Sequence, residues 1–123
     1  MADDRRVLPM GDRAWLVVLP DLDDALRLFE SVAAAHLTGV VEAVPAARTV
    51  LVKFDPLTTT ADELGTRLAS LPAAPGAAAS GRLVTIAVLY DGDDLAEVAE
   101  LLGLSESEVI DRHTAATYRV AFG

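Results

Sequence analysis

The chain has no cysteine and a single lysine, Lys53. Without cysteine it cannot form a disulfide framework, a zinc–cysteine site or a thiol nucleophile. Its formal net charge is -9 at pH 7, and its arginines are scattered along the sequence. Nucleic-acid binding requires clustered Lys or Arg to neutralise phosphates, so this composition argues against a nucleic-acid partner. Solubility is the simplest reason for the acidic balance.

Long apolar runs are also missing. No stretch reaches the roughly 20 residues that cross a bilayer, and the charged start MADDRRVLPMGDR lacks the apolar core of a signal peptide. We therefore expect a cytoplasmic protein with no membrane partner. At 123 residues and 52% hydrophobic content, the chain can still bury one compact core.

Signatures of cofactor chemistry are absent too. The sequence has neither a G-x-x-x-x-G-K-[ST] phosphate loop nor G-x-G-x-x-G. The D-G-D-D run beginning at Asp91 lacks the spacing and the terminal glutamate of a calcium loop. Ser105, Thr114 and Tyr118 have no histidine–acid partner at a readable spacing. We expect no metal and no cofactor bound by this chain, and we assign no catalytic residue.

Hydrophobic periodicity predicts alternating strands and helices in the first part of the chain. The order β-α-β-β-α-β indicates a ferredoxin-like split β-α-β arrangement, with both helices on one face of the sheet and Val7–Pro9 as an extra edge piece. The predicted elements are a strand at Ala14–Leu19 with both faces buried, a helix capped by Asp21 that runs to about Ala35, strands at Val40–Val44 and Thr49–Phe54, a helix opened by a Thr60–Glu63 capping box, and a strand at Leu83–Tyr90.

The last forty residues have the most distinctive pattern. After a turn at Asp91-Gly92, the i, i+3, i+4, i+7 spacing predicts a helix that Gly103 ends, with Leu95, Val98, Ala99 and Leu102 on one face. Ser105 and Glu108 form an S-x-x-E capping box for a second helix, which leads into His113-Thr114. Alternation over 117–122 then predicts a half-buried strand. Its apolar face has no later strand to pair with, so we expect a partner interface at Tyr118, Val120 and Phe122.

The two histidines are candidates for different roles. His36 follows the first predicted helix, where a histidine near the last carbonyl groups is usually a cap. His113 ends the second capped helix, just before the last predicted strand. A structural histidine that bonds a backbone carbonyl explains its spacing as well as a functional one does.

The run VLYDGDDLAEVAELLGLSESEVIDRHTAATYRVAFG resembles the family that includes the B component of 5-oxoprolinase, allophanate hydrolase subunit 1 and the sporulation-kinase inhibitors. The segments at Val7–Leu19 and Val44–Pro56 agree with it. The resemblance implies an α+β ferredoxin-like domain over 1–75 and the truncated start of a cyclophilin-like β-barrel domain over 83–123. Low-complexity composition predicts an Ala/Pro/Gly linker over 76–82 between them. The resemblance also implies a substrate-binding role for His113 and Thr114.

By the same resemblance the chain is a subunit of a multi-protein, ATP-dependent amide-cleaving enzyme that acts on 5-oxoproline or allophanate. Its implied partners are a second, carboxylase-like subunit and a third subunit that forms a barrel, and the assembled complex uses ATP. The chain alone is expected to be inactive. One alternative is a protein-binding module that inhibits a sensor histidine kinase. Another is a helix-turn-helix DNA-binding protein, which the acidic second helix disfavours.

Overall fold

The computed structural model describes residues 5–75 and 82–122. The chain divides into two compact units, Met1–Ser80 with Ala121–Gly123 and Gly81–Val120, which we call the first unit and the second unit. The predicted linker over 76–82 lies outside the described residues except for Arg82. Within the described ranges, no helix combines the length and the apolar character needed to cross a membrane.

The first unit consists of one sheet and two helices. Its helix at 22–35 and its strand at 49–54 have the predicted bounds, and the other predicted bounds up to residue 75 move by one or two residues. The elements are β1 (Arg6–Pro9), β2 (Ala14–Val18), α1 (Leu22–Ala35), β3 (Val40–Pro45), β4 (Thr49–Phe54) and α2 (Ala61–Ser70).

Side-chain caps start both helices, as the sequence predicts. Asp21 accepts a hydrogen bond from the backbone N–H of Asp24 at 2.9 Å, which satisfies one of the free donors at the start of α1. At α2 both bonds of the Thr60–Glu63 capping box are formed. His36 ends α1 in the left-handed conformation, with φ 46°, so the prediction of a capping role for His36 is confirmed.

The sheet is antiparallel with the order β1-β2-β4-β3. Because β4 lies between β2 and β3, the β2-α1-β3 unit is split as predicted. The prediction of a strand at Leu83–Tyr90 is wrong, since no strand forms there within the described chain. The edge beside β2, which the ferredoxin-like order gives to that strand, is occupied by β1. The short hairpin between β1 and β2 reaches this edge with far less loop-closure entropy than a segment some seventy residues away.

Both helices pack on one face of the sheet and bury it. Val17, Val50 and Val52 are fully buried beneath them, as are Leu28 of α1 and Leu68 of α2. Burial of this kind contributes about 1.5–3 kcal/mol for each large aliphatic side chain. The core of the first unit therefore lies between this sheet face and the two helices.

The Arg5 side chain is hydrogen-bonded to the end of α2. Its Nη1 donates to the carbonyl oxygens of Leu68 at 2.8 Å and of Leu71 at 2.7 Å. The last carbonyl groups of a helix have no partner within the helix, so these two bonds satisfy acceptors that would otherwise need water.

The other face of the sheet is not covered by the helices, so the prediction that both faces of the second strand are buried is wrong. Strand register aligns Leu8 with Leu16, Leu16 with Leu51, and Leu51 with Val44. This row of four apolar side chains crosses all four strands. A cross-strand ion pair at 2.7 Å joins Lys53 of β4 to Glu42 of β3.

The second unit contains two helices, α3 (Leu95–Leu102) and α4 (Glu106–Ala115). Gly103 separates them in the left-handed conformation, with φ 65°, as the sequence predicts. The strand predicted over 117–122 does not form among the described residues. Isolated strands gain no ladder hydrogen bonds, so the alternating pattern alone does not produce one. The α+β class is confirmed, and the start of a cyclophilin-like barrel stays a prediction.

Candidate functional site

The second unit brings together three ring-bearing side chains that the sequence separates. His113 Nδ1 lies 2.6 Å from the hydroxyl oxygen of Tyr90, 23 residues earlier. The two rings meet edge to face, with centroids 5.7 Å apart. The ring centroid of Tyr118 lies 5.2 Å from that of His113, and its hydroxyl donates to the backbone carbonyl of His113 at 3.0 Å. We call Tyr90, His113 and Tyr118 the tyrosine–histidine cluster.

The capping box of α4 positions this cluster. Ser105 Oγ accepts from the backbone N–H of Glu108 at 3.2 Å, and Glu108 accepts from the backbone N–H of Ser105 at 2.8 Å. The bond from the Ser105 backbone, then that from its side chain, and the positive charge of Arg112 lower the pKa of Glu108 below its usual value. With its start fixed, α4 carries His113 two turns further along, in its last turn.

His113 and Thr114, the predicted substrate-binding pair, lie in the last turn of α4, so His113 ends the capped helix as the sequence predicts. Their substrate-binding role stays a prediction. The Thr114 hydroxyl donates back to the carbonyl oxygen of Ile110 at 2.9 Å, so its proton is used within the helix. His113 is held by side chains from outside the helix. Of the two, His113 is therefore the one that contacts residues outside α4.

The predicted partner interface is exposed. Tyr118, Val120 and Phe122 have 66%, 89% and 46% of their surface accessible. Tyr118 also makes contacts that the sequence did not predict, because its hydroxyl bonds to the His113 carbonyl and its ring packs against the His113 ring. Tyr90 was also missed as a site residue. Its signal was weak, since a tyrosine at the end of an apolar run is as easily explained as a strand residue.

The first unit contains a surface cleft. A cleft of about 530 Å³ opens between α2 and the loops before β3 and after β4, and its lining includes Thr38, Thr59, Asp62 and Arg67. Glu63 also lines it but is engaged in the capping box of α2. Among the described residues no group of His, Cys, Asp or Glu side chains could hold a metal ion. The cleft therefore offers no arrangement as well organised as the tyrosine–histidine cluster.

Comparison with known families decides what kind of chain this is. The family described as the carboxyltransferase domain, subdomain C and D, matches residues 5–123. The chain belongs to the carboxyltransferase-domain family. This match corrects the resemblance to the family of the 5-oxoprolinase B component and the sporulation-kinase inhibitors. The motifs that carried that resemblance include a glycine turn and an S-x-x-E box, which specify local helix ends that many families share.

Crystal structures of one protein, TTHA0988, agree with most of this chain. One of them is 36% identical, with a TM-score of 0.68, over 89% of this chain and 23% of its own. A second crystal form gives 32% identity and a TM-score of 0.67. The conserved uncharacterized protein PH0987 from Pyrococcus horikoshii is 28% identical, with a TM-score of 0.45, over 94% of this chain and 57% of its own. No curated protein matches.

The chain thus spans less than a quarter of the length of TTHA0988. Within the carboxyltransferase-domain family, it corresponds to one part of a much longer relative.

The comparisons bear differently on the two alternative functions. Kinase inhibition was implied only by the resemblance that the family match corrects, so its basis is removed. Two helices joined by a glycine turn are present, as a helix-turn-helix requires, but α4 carries the acidic residues Glu106, Glu108 and Asp111. The absence of DNA binding stays a prediction.

Proposed function

We propose that this carboxyltransferase-domain chain is the carboxyl-transfer part of a multi-subunit, carboxylase-type complex and does not work alone. The observation that carries the proposal is the family match over residues 5–123. The proposal places the ATP-consuming step of such a system on another domain or subunit. Cleavage of an amide, with 5-oxoproline or allophanate as substrate, is the finer prediction.

The tyrosine–histidine cluster is our candidate for contact with the transferred group. If the Tyr90 hydroxyl donates to Nδ1, the neutral imidazole carries its proton on Nε2. The protonated ring also carries a proton there. In both states Nε2 is a hydrogen-bond donor, and its natural partner is an oxygen of a carboxylate or a carbonyl group. Tyr90 and Tyr118 both contact the ring and fix its direction.

Biotin, the carboxyl carrier of many carboxylases, does not fit a covalent site on this chain. A biotin carrier needs a lysine whose ammonium group is free to be acylated, and Lys53 is the single lysine in the sequence. Lys53 is exposed, but it lies within the ladder of β4 and its Nζ is paired with the Glu42 carboxylate at 2.7 Å. Any attached biotin would therefore reach the reaction from another domain or subunit.

The test is a carboxyl-transfer assay and an ATP-dependent glutamate-release assay, each run on the chain alone and with its co-purified partner subunits. We expect activity only in the assembly. In it, His113→Ala should lower kcat/KM by about 10²-fold, and Tyr90→Phe by less, because the ring stays but loses its orienting bond. His36→Asn is the matched control, since Asn tolerates the left-handed conformation at the end of α1.

A nitrogen-detected NMR spectrum of the chain measures the tautomer of the His113 ring directly, and so separates a loss of ring orientation from a loss of folding. Wild type should show the tautomer protonated at Nε2, and Tyr90→Phe should mix the tautomers. Turnover of either substrate by the isolated chain would contradict the proposal that it does not work alone. Equal losses in His113→Ala and His36→Asn would remove the cluster from the mechanism while leaving the family assignment untouched.

A further inference from the structure

The helix α3 has an apolar side that the described residues of its own unit leave largely open. Val98, Leu101 and Leu102 follow the i, i+3, i+4 spacing, so they share one face of the helix. Of their surfaces, 39%, 78% and 61% are accessible. Ala99 is the buried residue of α3 and lies to one side of this face. We call Val98, Leu101 and Leu102 the α3 stripe.

Exposed apolar residues are ordinary when they are single. Here three of them are adjacent on a helix of 8 residues. A helix this short is only marginally stable in water by itself, and its large apolar side chains add little stability while they face solvent. A contiguous apolar stripe on such a helix is typical of a surface that another polypeptide covers.

The charged residues nearest the stripe in sequence, from Leu83 to Asp111, are all acidic, and the first basic residue after them is Arg112 on α4. No Lys, Arg or His occurs between Leu83 and Asp111 in the sequence. The same stretch contains eight acidic residues, namely Asp91, Asp93, Asp94, Glu97, Glu100, Glu106, Glu108 and Asp111. Glu97 and Glu100 lie on α3 itself, each next in sequence to a residue of the stripe. Helix α3 therefore combines an apolar stripe with carboxylates that adjoin it in sequence.

We propose that the α3 stripe is a docking surface for a basic amphipathic helix of a partner protein. Apolar side chains of that helix would cover Leu101 and Leu102, and its Lys and Arg residues would face the carboxylates. A second copy of this chain fits poorly, because it would bring the same carboxylates against this surface. We expect these carboxylates to repel DNA and RNA as well. The proposal goes beyond carboxyl transfer and does not depend on it.

The experiment measures binding of a fluorescently labelled lysine–leucine amphipathic helical peptide to the purified chain. Two comparison peptides separate charge attraction from apolar contact. One has glutamate for every lysine, and the other has serine for every leucine. We expect only the first peptide to bind firmly. The double variant Leu101→Ser/Leu102→Ser should bind it at least about tenfold more weakly, since two apolar contacts are lost. Leu57→Ser is the control, because Leu57 is 95% exposed and lies in the first unit.

The carboxylates are tested in the same way. Glu97→Gln/Glu100→Gln should weaken binding several-fold and flatten its dependence on salt, because exposed charges are screened by ions. Glu30→Gln, an exposed acid on α1, should change neither. Hydrogen exchange with the peptide bound should show protection in α3 and α4. The circular dichroism of every variant should match wild type, because all the altered side chains are exposed.

Two results would overturn the proposal. If the serine peptide binds as well as the leucine peptide, or the Leu101→Ser/Leu102→Ser variant binds as well as wild type, the attraction is charge alone. If sedimentation shows a dimer of the chain that the double variant abolishes, the stripe binds a second copy and not a basic partner.

Discussion

The two units of this chain differ in where their apolar side chains lie. In the first unit, valines and leucines from the sheet and from both helices form one buried cluster. In the described part of the second unit only Ala99 is buried, and most of its large apolar residues are exposed. Both units nevertheless begin a helix with a complete capping box. Local signals can thus shape a helix without a core, but stability requires burial.

The largest expected effect comes from removing one leucine from each unit. Leu68→Ala in α2 empties a fully buried site and should lower the free energy of unfolding by about 3 kcal/mol. Leu101→Ala in α3 should change it by less than about 0.5 kcal/mol, because that side chain is mostly in water. Urea denaturation followed by circular dichroism measures both. Similar losses would mean that the second unit has a core of its own.

Gly39 in the first unit and Gly92 in the second differ in the space available for a side chain. Gly39 has φ +82°, and a Cβ there would lie 2.5 Å from Thr59 Cγ2. We expect Gly39→Ala to cost about 2 kcal/mol from the left-handed backbone and the clash together. Gly92 has nothing within 4 Å of its Cβ position. Gly92→Ala should leave the thermal midpoint unchanged, and an equal shift for both variants would contradict this difference.

The two capping boxes provide a smaller effect. Thr60→Ala should destabilise the first unit by about 1 kcal/mol, as loss of a side-chain cap usually does. Because packing against the sheet holds α2, it should remain helical. Ser105→Ala should instead fray the start of α4, which has no buried residue. Amide hydrogen exchange at each helix start tests this, and greater fraying at α2 than at α4 would be the contrary result.

The smallest effect concerns pH. The pKa of Glu108 is lowered in the folded chain, chiefly by the bond from the Ser105 backbone. The stabilisation of α4 is therefore complete above the pKa of an unfolded glutamate, and it is lost as pH falls through the lower folded value. NMR titration of the α4 amides should show this acid-side transition in wild type. Glu108→Gln should remove it, and its persistence in that variant would assign it to another group.

The local elements of the first unit could be predicted because each has its cause nearby in the sequence. Asp21 and Thr60 cap their helices through a backbone N–H only three residues away. The alternation at Thr49–Phe54 reflects one strand face turned toward the helices. His36 as a helix end follows from the same local reasoning.

The tyrosine–histidine cluster could not be predicted in this way. Tyr90 and His113 are 23 residues apart, and they meet only because the chain turns before α3 and again at Gly103. Neither turn angle can be read from hydrophobic periodicity, which reports the face of an element and not its direction in space. The pairing of Tyr118 with His113 depends in addition on where the chain runs after α4.

Contacts within a few residues specify the helices, their caps and the α+β class, and for that reason these features can be read from the sequence alone. The strand that holds the sheet edge beside β2 depends instead on long-range contacts. The apolar run of Leu83–Tyr90 predicts a strand as strongly as that of β4 does, yet a strand exists only where a neighbour supplies its hydrogen bonds. Arg6–Pro9 takes that place, because a short turn connects it to β2.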